Sequence, residues 1–88
     1  MFPLRIYKID GHSMEPTILA GSFVLVWRWQ RHFKVGDIVA FHFDGKILIK
    51  RVAAINNNQI EVRGDNKQDS LDIGAIDLSK IIGKIIGK

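Results

Sequence analysis

Three residues in this chain have the types and surroundings that acyl-transfer chemistry needs. Ser13 sits in Gly11-His12-Ser13-Met14-Glu15-Pro16-Thr17, a turn punctuated by glycine and proline. Lys50 interrupts the apolar run Ile47-Leu48-Ile49-Lys50-Arg51-Val52, and Ser70 closes the polar stretch that begins Gly64-Asp65-Asn66. A serine hydroxyl is a weak nucleophile until a base takes its proton. Lysine serves as that base only when its amine is neutral, which requires a pKa about 3 below the usual value near 10.4. Desolvation among apolar neighbours supplies such a shift. Leu48, Ile49, Val52, Ala53 and Ala54 surround Lys50 in sequence. Strand alternation puts Lys50 on one face with Leu48 and Val52 and sends Arg51 to the other, toward a separate partner. Each signal is weak alone. A lysine on an edge strand, where it discourages aggregation, explains Lys50 as well, and Ser-Met-x-Pro also makes an ordinary turn.

The elements that must position these residues are short β-type segments. Alternation and β-branched or aromatic runs predict strands at 4–9, 23–27, 38–43, 47–55 and 59–63. A last strand is expected at 79–86, with Gly83 marking a bulge. Val35-Gly36-Asp37 and Asn56-Asn57-Asn58 read as turns, and Asp44-Gly45 is a strong two-residue hairpin signal. Residues 64–72 read as a polar loop, and 15–20 as at most one helical turn.

Composition narrows the classes. Eighty-eight residues make one small domain, 1–88, with an ordinary apolar fraction. There is no cysteine, so disulfides and thiolate metal sites are excluded. His32 and His42 have no ligand-like companions. A calcium loop at 65–72 fails because Lys67 occupies a ligand position. No metal and no organic cofactor is expected. The net charge of +4 is mild, and the basic residues are interleaved with acids rather than gathered in a stripe, so no nucleic acid is expected as partner. No apolar stretch approaches the ~20 residues that span a bilayer. With only twelve residues before Ser13, neither a leader nor an anchor is expected, which points to the cytoplasm. Trp27, Trp29 and Phe33 admit two readings. They form an exposed apolar patch for peripheral contact with membrane or partner, or Trp27 and Trp29 continue the core face of Phe23 and Leu25. Oligomeric state is not legible.

Taken together, the segments form a series: Ser13-Met14-x-Pro16-Thr17, Val35-Gly36-Asp37-Ile38-Val39-x-Phe41, Lys50-Arg51-Val52, then Gly64-Asp65-Asn66 with Ser70 and Asp72. In this order, over about residues 9–84, they resemble the motif boxes of the signal peptidase I family of serine proteases. The resemblance implies an all-β fold, a small coiled β-barrel or sandwich of the signal-peptidase catalytic core type. It implies Ser13 as nucleophile, Lys50 as general base, and Ser70 as the second serine that orients the lysine amine. Arg51, Asp65, Asn66 and Asp72 match the structural support beneath the site. Ile9, Met14, Ile18 and Leu48 match the lining of a shallow apolar pocket that accepts a small residue before the cut; the plain alternative is that these four are core. The main-chain N–H of Ser13 would donate to the oxyanion.

Several positions depart from the pattern. Gly11 stands where some members carry a serine that helps bind the oxyanion, and Lys67 stands where arginine is common. Only twelve residues separate Arg51 from Gly64, enough for one hairpin rather than a large insert. His12 adjoins the nucleophile, but adjacent side chains on an extended turn diverge, so it is read as meeting substrate or solvent rather than as the base. In size and motifs the chain is similar to the maturation proteases that trim the N-terminal extension of nickel-type superoxide dismutase. The implied substrate is then a protein precursor with an N-terminal leader. The alternatives are a signal peptidase acting on secretory precursors and a non-catalytic peptide-binding module of the same fold. The self-cleaving repressors also use a serine and a lysine, but they lack the Gly-Asp-Asn loop and carry a DNA-binding domain for which 88 residues leave no room.

Overall fold

The computed structural model describes residues 2–29, 32–68 and 73–88. Runs of β-branched and aromatic residues form strands β1 (Leu4–Lys8), β2 (Phe23–Trp27), β3 (Ile38–Phe43), β4 (Lys46–Asn56) and β5 (Gln59–Arg63), followed by β6 (Gly74–Asp77) and β7 (Ile81–Gly87). All pairings are antiparallel, in the order β1-β2-β7-β3-β4-β5-β6, and the one sheet curls into a half-barrel. The fold is all-β, as the alternation pattern indicates. Asp44 (φ 53°) and Gly45 (φ 75°) both take left-handed backbone in the β3–β4 turn, the geometry that matches hairpin twist.

Alternate residues of β3 serve two apolar clusters. Val39 and Phe41 join Val52, Ile60, Val62, Ile76 and Ile81 in one. Ala40 joins Met14, Ile18, Val24 and Val26 in the other. The central strand is therefore buried on both faces, and its residues 39–41 are fully covered.

Two expectations at the C-terminal end are corrected. The strand expected at 79–86 is split: Leu78–Lys80 form a 3-10 turn, and β7 starts only at Ile81. The cause is Asp77, whose carboxylate accepts the Ser79 N–H at 2.9 Å and caps the turn. β6 was not expected at all, because Gly74-Ala75-Ile76-Asp77 has little intrinsic strand preference. Its ladder with β5, from Gln59↔Asp77 to Val62↔Gly74, and the burial of Ile76 hold it in place. The bulge assigned to Gly83 falls beside it, where Ala40 and Phe41 face Gly83 and Ile81 and skip Ile82. Gly83 itself lies against the main-chain carbonyl of Trp27, leaving no space for a Cβ.

Neither reading of the aromatic residues holds: the core face of β2 is Val24 and Val26, while Phe23, on the face of Leu25 and Trp27, is exposed. Trp27 and Trp29 stack edge to face, with ring centroids 5.9 Å apart, and Trp29 is exposed. Phe33 instead packs against the first cluster, so the three do not form one patch. Among the described residues no helix is long and apolar enough to cross a membrane.

Candidate active site

The turn carrying Ser13 is seated from below by its apolar residues. Met14 and Ile18 are 2% and 1% exposed and plug the cluster of Val24, Val26 and Ala40. Between them runs a single helical-type bond from Ile18 N–H to Met14 C=O at 2.9 Å, which is all that forms of the turn expected at 15–20. The Glu15–Pro16 peptide is cis. Outside the plug, Glu15 accepts the Ala20 N–H and pairs with His12 Nδ1 at 3.0 Å. Its carboxyl is held below the usual range, chiefly by the His12 hydrogen bond and then by that N–H. His12 thus turns toward Glu15 at the exposed surface.

Polar clamps fix the same turn from the side. The Asn66 N–H donates to Ser13 C=O at 2.8 Å, and the Asn66 side-chain amide donates to His12 C=O at 2.9 Å. Asp65, the next residue back, receives a two-pronged contact from Arg51, Nε at 2.9 Å and Nη2 at 2.7 Å. The Thr17 hydroxyl donates to the same carboxylate at 2.6 Å. Such fork-on-carboxylate bonds are among the stronger polar contacts available. Arg51 also donates to Gly36 C=O at 2.8 Å, tying in the Val35-Gly36-Asp37 turn. The guanidinium, more than the Thr17 hydroxyl, holds the Asp65 carboxyl below its ordinary value. Asp65-Asn66 therefore join the Ser13 turn to the residue that follows Lys50.

Lys50 is 4% exposed. It lies opposite Val39 in the β3–β4 ladder, on the face of β4 that carries Leu48 and Val52. A solvent-facing edge lysine does not fit that burial. Arg51 points the other way, to Asp65, as alternation requires.

A groove of about 180 Å³ runs beside Ser13. Its walls are the end of β1 and the residues that follow (Tyr7 to Gly11), the Ser13-Met14 turn, and Ile47 to Ile49 of β4. Ile9, Met14 and Leu48 line it; Ile18 does not, being wholly core. β4 gives the groove Leu48, from the face of Lys50, together with Ile47 and Ile49 from the other face; the lining stops one residue short of Lys50. β1 is the last strand at one margin of the sheet. Among the described residues, the Lys46–Lys50 half of β4 pairs only with β3, because β5 begins its ladder at Arg51. The groove thus lies between two free strand edges. Ser70 and Asp72 fall outside the described residues.

Other residues here escaped sequence reading. Tyr7 lines the groove two positions before Ile9, on the same face, and alternation from Ile9 would have found it. Thr17 stood in the motif without a role. Asp37, 7% exposed, faces Lys84 Nζ at 3.4 Å and accepts the Lys34 N–H at 3.0 Å. Among the described residues no cluster of three or more His, Cys, Asp or Glu could hold a metal ion.

Comparison with known proteins agrees with this geometry. The signal peptidase I V of Bacillus subtilis (strain 168) is 40% identical over 63 residues, which cover 67% of this chain and 38% of that protein. The signal peptidase complex catalytic subunit SEC11 of Candida dubliniensis is 37% identical over 67 residues, covering 69% and 40%. A LexA repressor of Thermotoga sp. (strain RQ2) is 34% identical over 85 residues, covering 93% and 41%. The chain spans about two fifths of the length of these relatives. The repressors, set aside on the sequence for want of a Gly-Asp-Asn loop, thus stand beside the signal peptidases as relatives. The model of the family described as Peptidase S24-like matches residues 3–86, and the chain belongs to that family, with the peptidase fold that signal peptidases and LexA repressors share.

Proposed function

We propose that this chain is a serine endopeptidase with a Ser13/Lys50 dyad, which removes an N-terminal leader from a protein precursor by cutting after a small residue. One observation carries the reading. Ser13 stands at an apolar groove whose opposite wall leads, within one residue, into a buried lysine. Burial disfavours an ammonium, and a neutral amine is what the serine needs.

In this scheme the substrate lies extended in the groove and pairs with the two free strand edges. Its small side chain before the cut sits among Ile9, Met14 and Leu48. Ser13 Oγ attacks the scissile carbonyl carbon as its proton passes to Lys50 Nζ. The Ser13 N–H donates to the oxyanion. Collapse breaks the C–N bond, and the lysine ammonium gives its proton to the leaving amine. Lys50 then deprotonates a water that hydrolyses the ester, and the proton returns to Ser13. Ser70 orients the amine. Arg51, Asp65, Asn66 and Asp72 hold the frame. No step calls for a metal or an organic cofactor.

The reading places the enzyme in the cytoplasm, with Trp29 available for peripheral contact. The nickel-type superoxide dismutase precursor is the first whole protein to try, on the strength of the sequence resemblance alone. Similarity to signal peptidases supports secretory precursors as the second substrate class. Similarity to LexA repressors over 93% of the chain favours a third reading, cleavage within the same polypeptide. That case is recognised by a rate independent of protein concentration.

The test is a mixed peptide library incubated at about pH 8.5 with wild type and with Ser13→Ala, the products read by mass spectrometry. Cuts after small residues that vanish in the variant are expected. Identical products from both proteins would remove Ser13 from the chemistry. Retention of peptides without cutting would favour the non-catalytic binding module.

A further inference from the structure

The inner face of the curled sheet changes character at one end. On β1, Tyr7 gives way two residues earlier on the same face to Arg5. Val26 of β2 gives way to Arg28, just beyond the strand, and Ala40 of β3 gives way to His42. Val26 and Ala40 are fully buried in the apolar cluster. Arg5, which stands opposite Val26 in the β1–β2 ladder, thus joins Arg28 and His42 in adding two guanidinium groups and an imidazole beside this apolar face. Arg5, Arg28 and His42, with Trp29 and Ser79, line a cleft of about 420 Å³. None of the ion pairs among the described residues involves Arg5. Asp77, which shares a neighbouring hollow with His42, has its carboxylate engaged by the Ser79 N–H.

Tyr7 lines both this cleft and the groove beside Ser13. Ile9 and Arg5 are four residues apart, about 13 Å along an extended strand. A peptide whose small residue sits by Ile9 and Met14 would carry its N-terminal continuation along β1, past Tyr7, into the basic end. We propose that the cleft of Arg5, Arg28 and His42 is a specificity subsite for an acidic side chain on the substrate, about four to six residues before the cut. The inference rests on the peptidase reading and deepens it by naming what the leader must carry. Complementary charge at an exposed site selects among substrates more than it tightens any one of them.

The experiment takes one peptide cut by the wild-type enzyme and makes three versions, with Glu, Gln or Lys at each of the fourth to sixth positions before the cut. Wild-type kcat/KM should fall from Glu to Gln to Lys, roughly fivefold per step for an exposed pair. The difference should shrink as salt is raised. The Arg5→Glu, Arg28→Glu double variant should reverse the order. Should that variant fail to fold, the wild-type order and its salt dependence still decide. Equal rates for the three peptides overturn the subsite and leave the peptidase reading standing. Absence of any Ser13-dependent cut overturns that reading, and the subsite with it.

Discussion

The two apolar clusters of this sheet are completed in different ways. The first takes all its buried residues from strands: Val39, Phe41, Val52, Ile60, Val62, Ile76 and Ile81. The second takes Val24, Val26 and Ala40 from strands but needs Met14 and Ile18, which belong to the turn that carries Ser13. The first lies beneath the face of β4 that carries Leu48 and Lys50; the second is completed by the turn that carries Ser13. Met14 shows the overlap of core and groove most plainly, being 2% exposed in the core while also lining the groove. The chemistry-bearing turn is therefore held by the same burial that stabilises the sheet. The polar clamp of Asp65 and Asn66 adds direction, fixing the main chain at His12 and Ser13.

That contrast can be broken from either side. Phe41→Ala empties the centre of the first cluster and should cost about 3–5 kcal/mol of unfolding free energy. Below its lowered melting temperature it should keep Ser13-dependent cutting but relax the choice of residue before the cut, because Phe41 pairs with groove-lining Leu48. An unchanged cleavage pattern would show that the first cluster supports the sheet without shaping the groove.

Asp65→Asn should have a smaller effect on stability, about 1–3 kcal/mol, because it weakens a charged bond that is only partly buried. Its effect on kcat should exceed what the loss of folded protein explains, since Asp65 anchors the Ser13 turn through Thr17. The pH dependence gives a second readout. Arg51, then Thr17, depress the Asp65 carboxyl in the folded state. A depressed folded value contributes stability at every pH above the ordinary 3.8, and that contribution is lost as pH falls through the lower folded value. Denaturant titrations at neutral pH and near pH 3 should show a steeper acid loss in wild type than in Asp65→Asn. Equal slopes would mean that the pair contributes little to folding.

The smallest effect is expected from Thr17→Val, about 1 kcal/mol, as one hydroxyl bond is lost with shape retained. Lower stability with unchanged kcat/KM would place Thr17 with the scaffold; a drop in kcat/KM with unchanged stability would place it with the site.

Much of this molecule is legible in its sequence because alternation reports burial on one side of a strand. The segments at 23–27, 38–43 and 59–63 form the strands they predict, and Lys50 lies on the face that alternation assigns. β6 is not legible, because Gly74 and Ala75 have no preference of their own and only pairing with β5 makes them a strand. The split before β7 comes from one carboxylate capping one N–H, a signal too local to outweigh the apolar run that follows. At the site, residue types point to Ser13, Lys50 and the Arg51–Asp65 pair. The grip of Asn66 on Ser13 is invisible in sequence, since one of its two bonds is main chain to main chain. Ile18, equally apolar, could be read as groove or core, and it lies in the core cluster while the groove lining passes it by.

The central claim is that a buried lysine acts as the base for Ser13. Its most direct test is the pH profile of kcat/KM for one cut peptide, with Lys50→Arg measured beside wild type. The account predicts a rate that rises into the alkaline range as the amine loses its proton, and a loss of about 10³-fold or more in Lys50→Arg, whose guanidinium takes up no proton. An acid optimum that falls away by about pH 8, or retained turnover in Lys50→Arg, would contradict it.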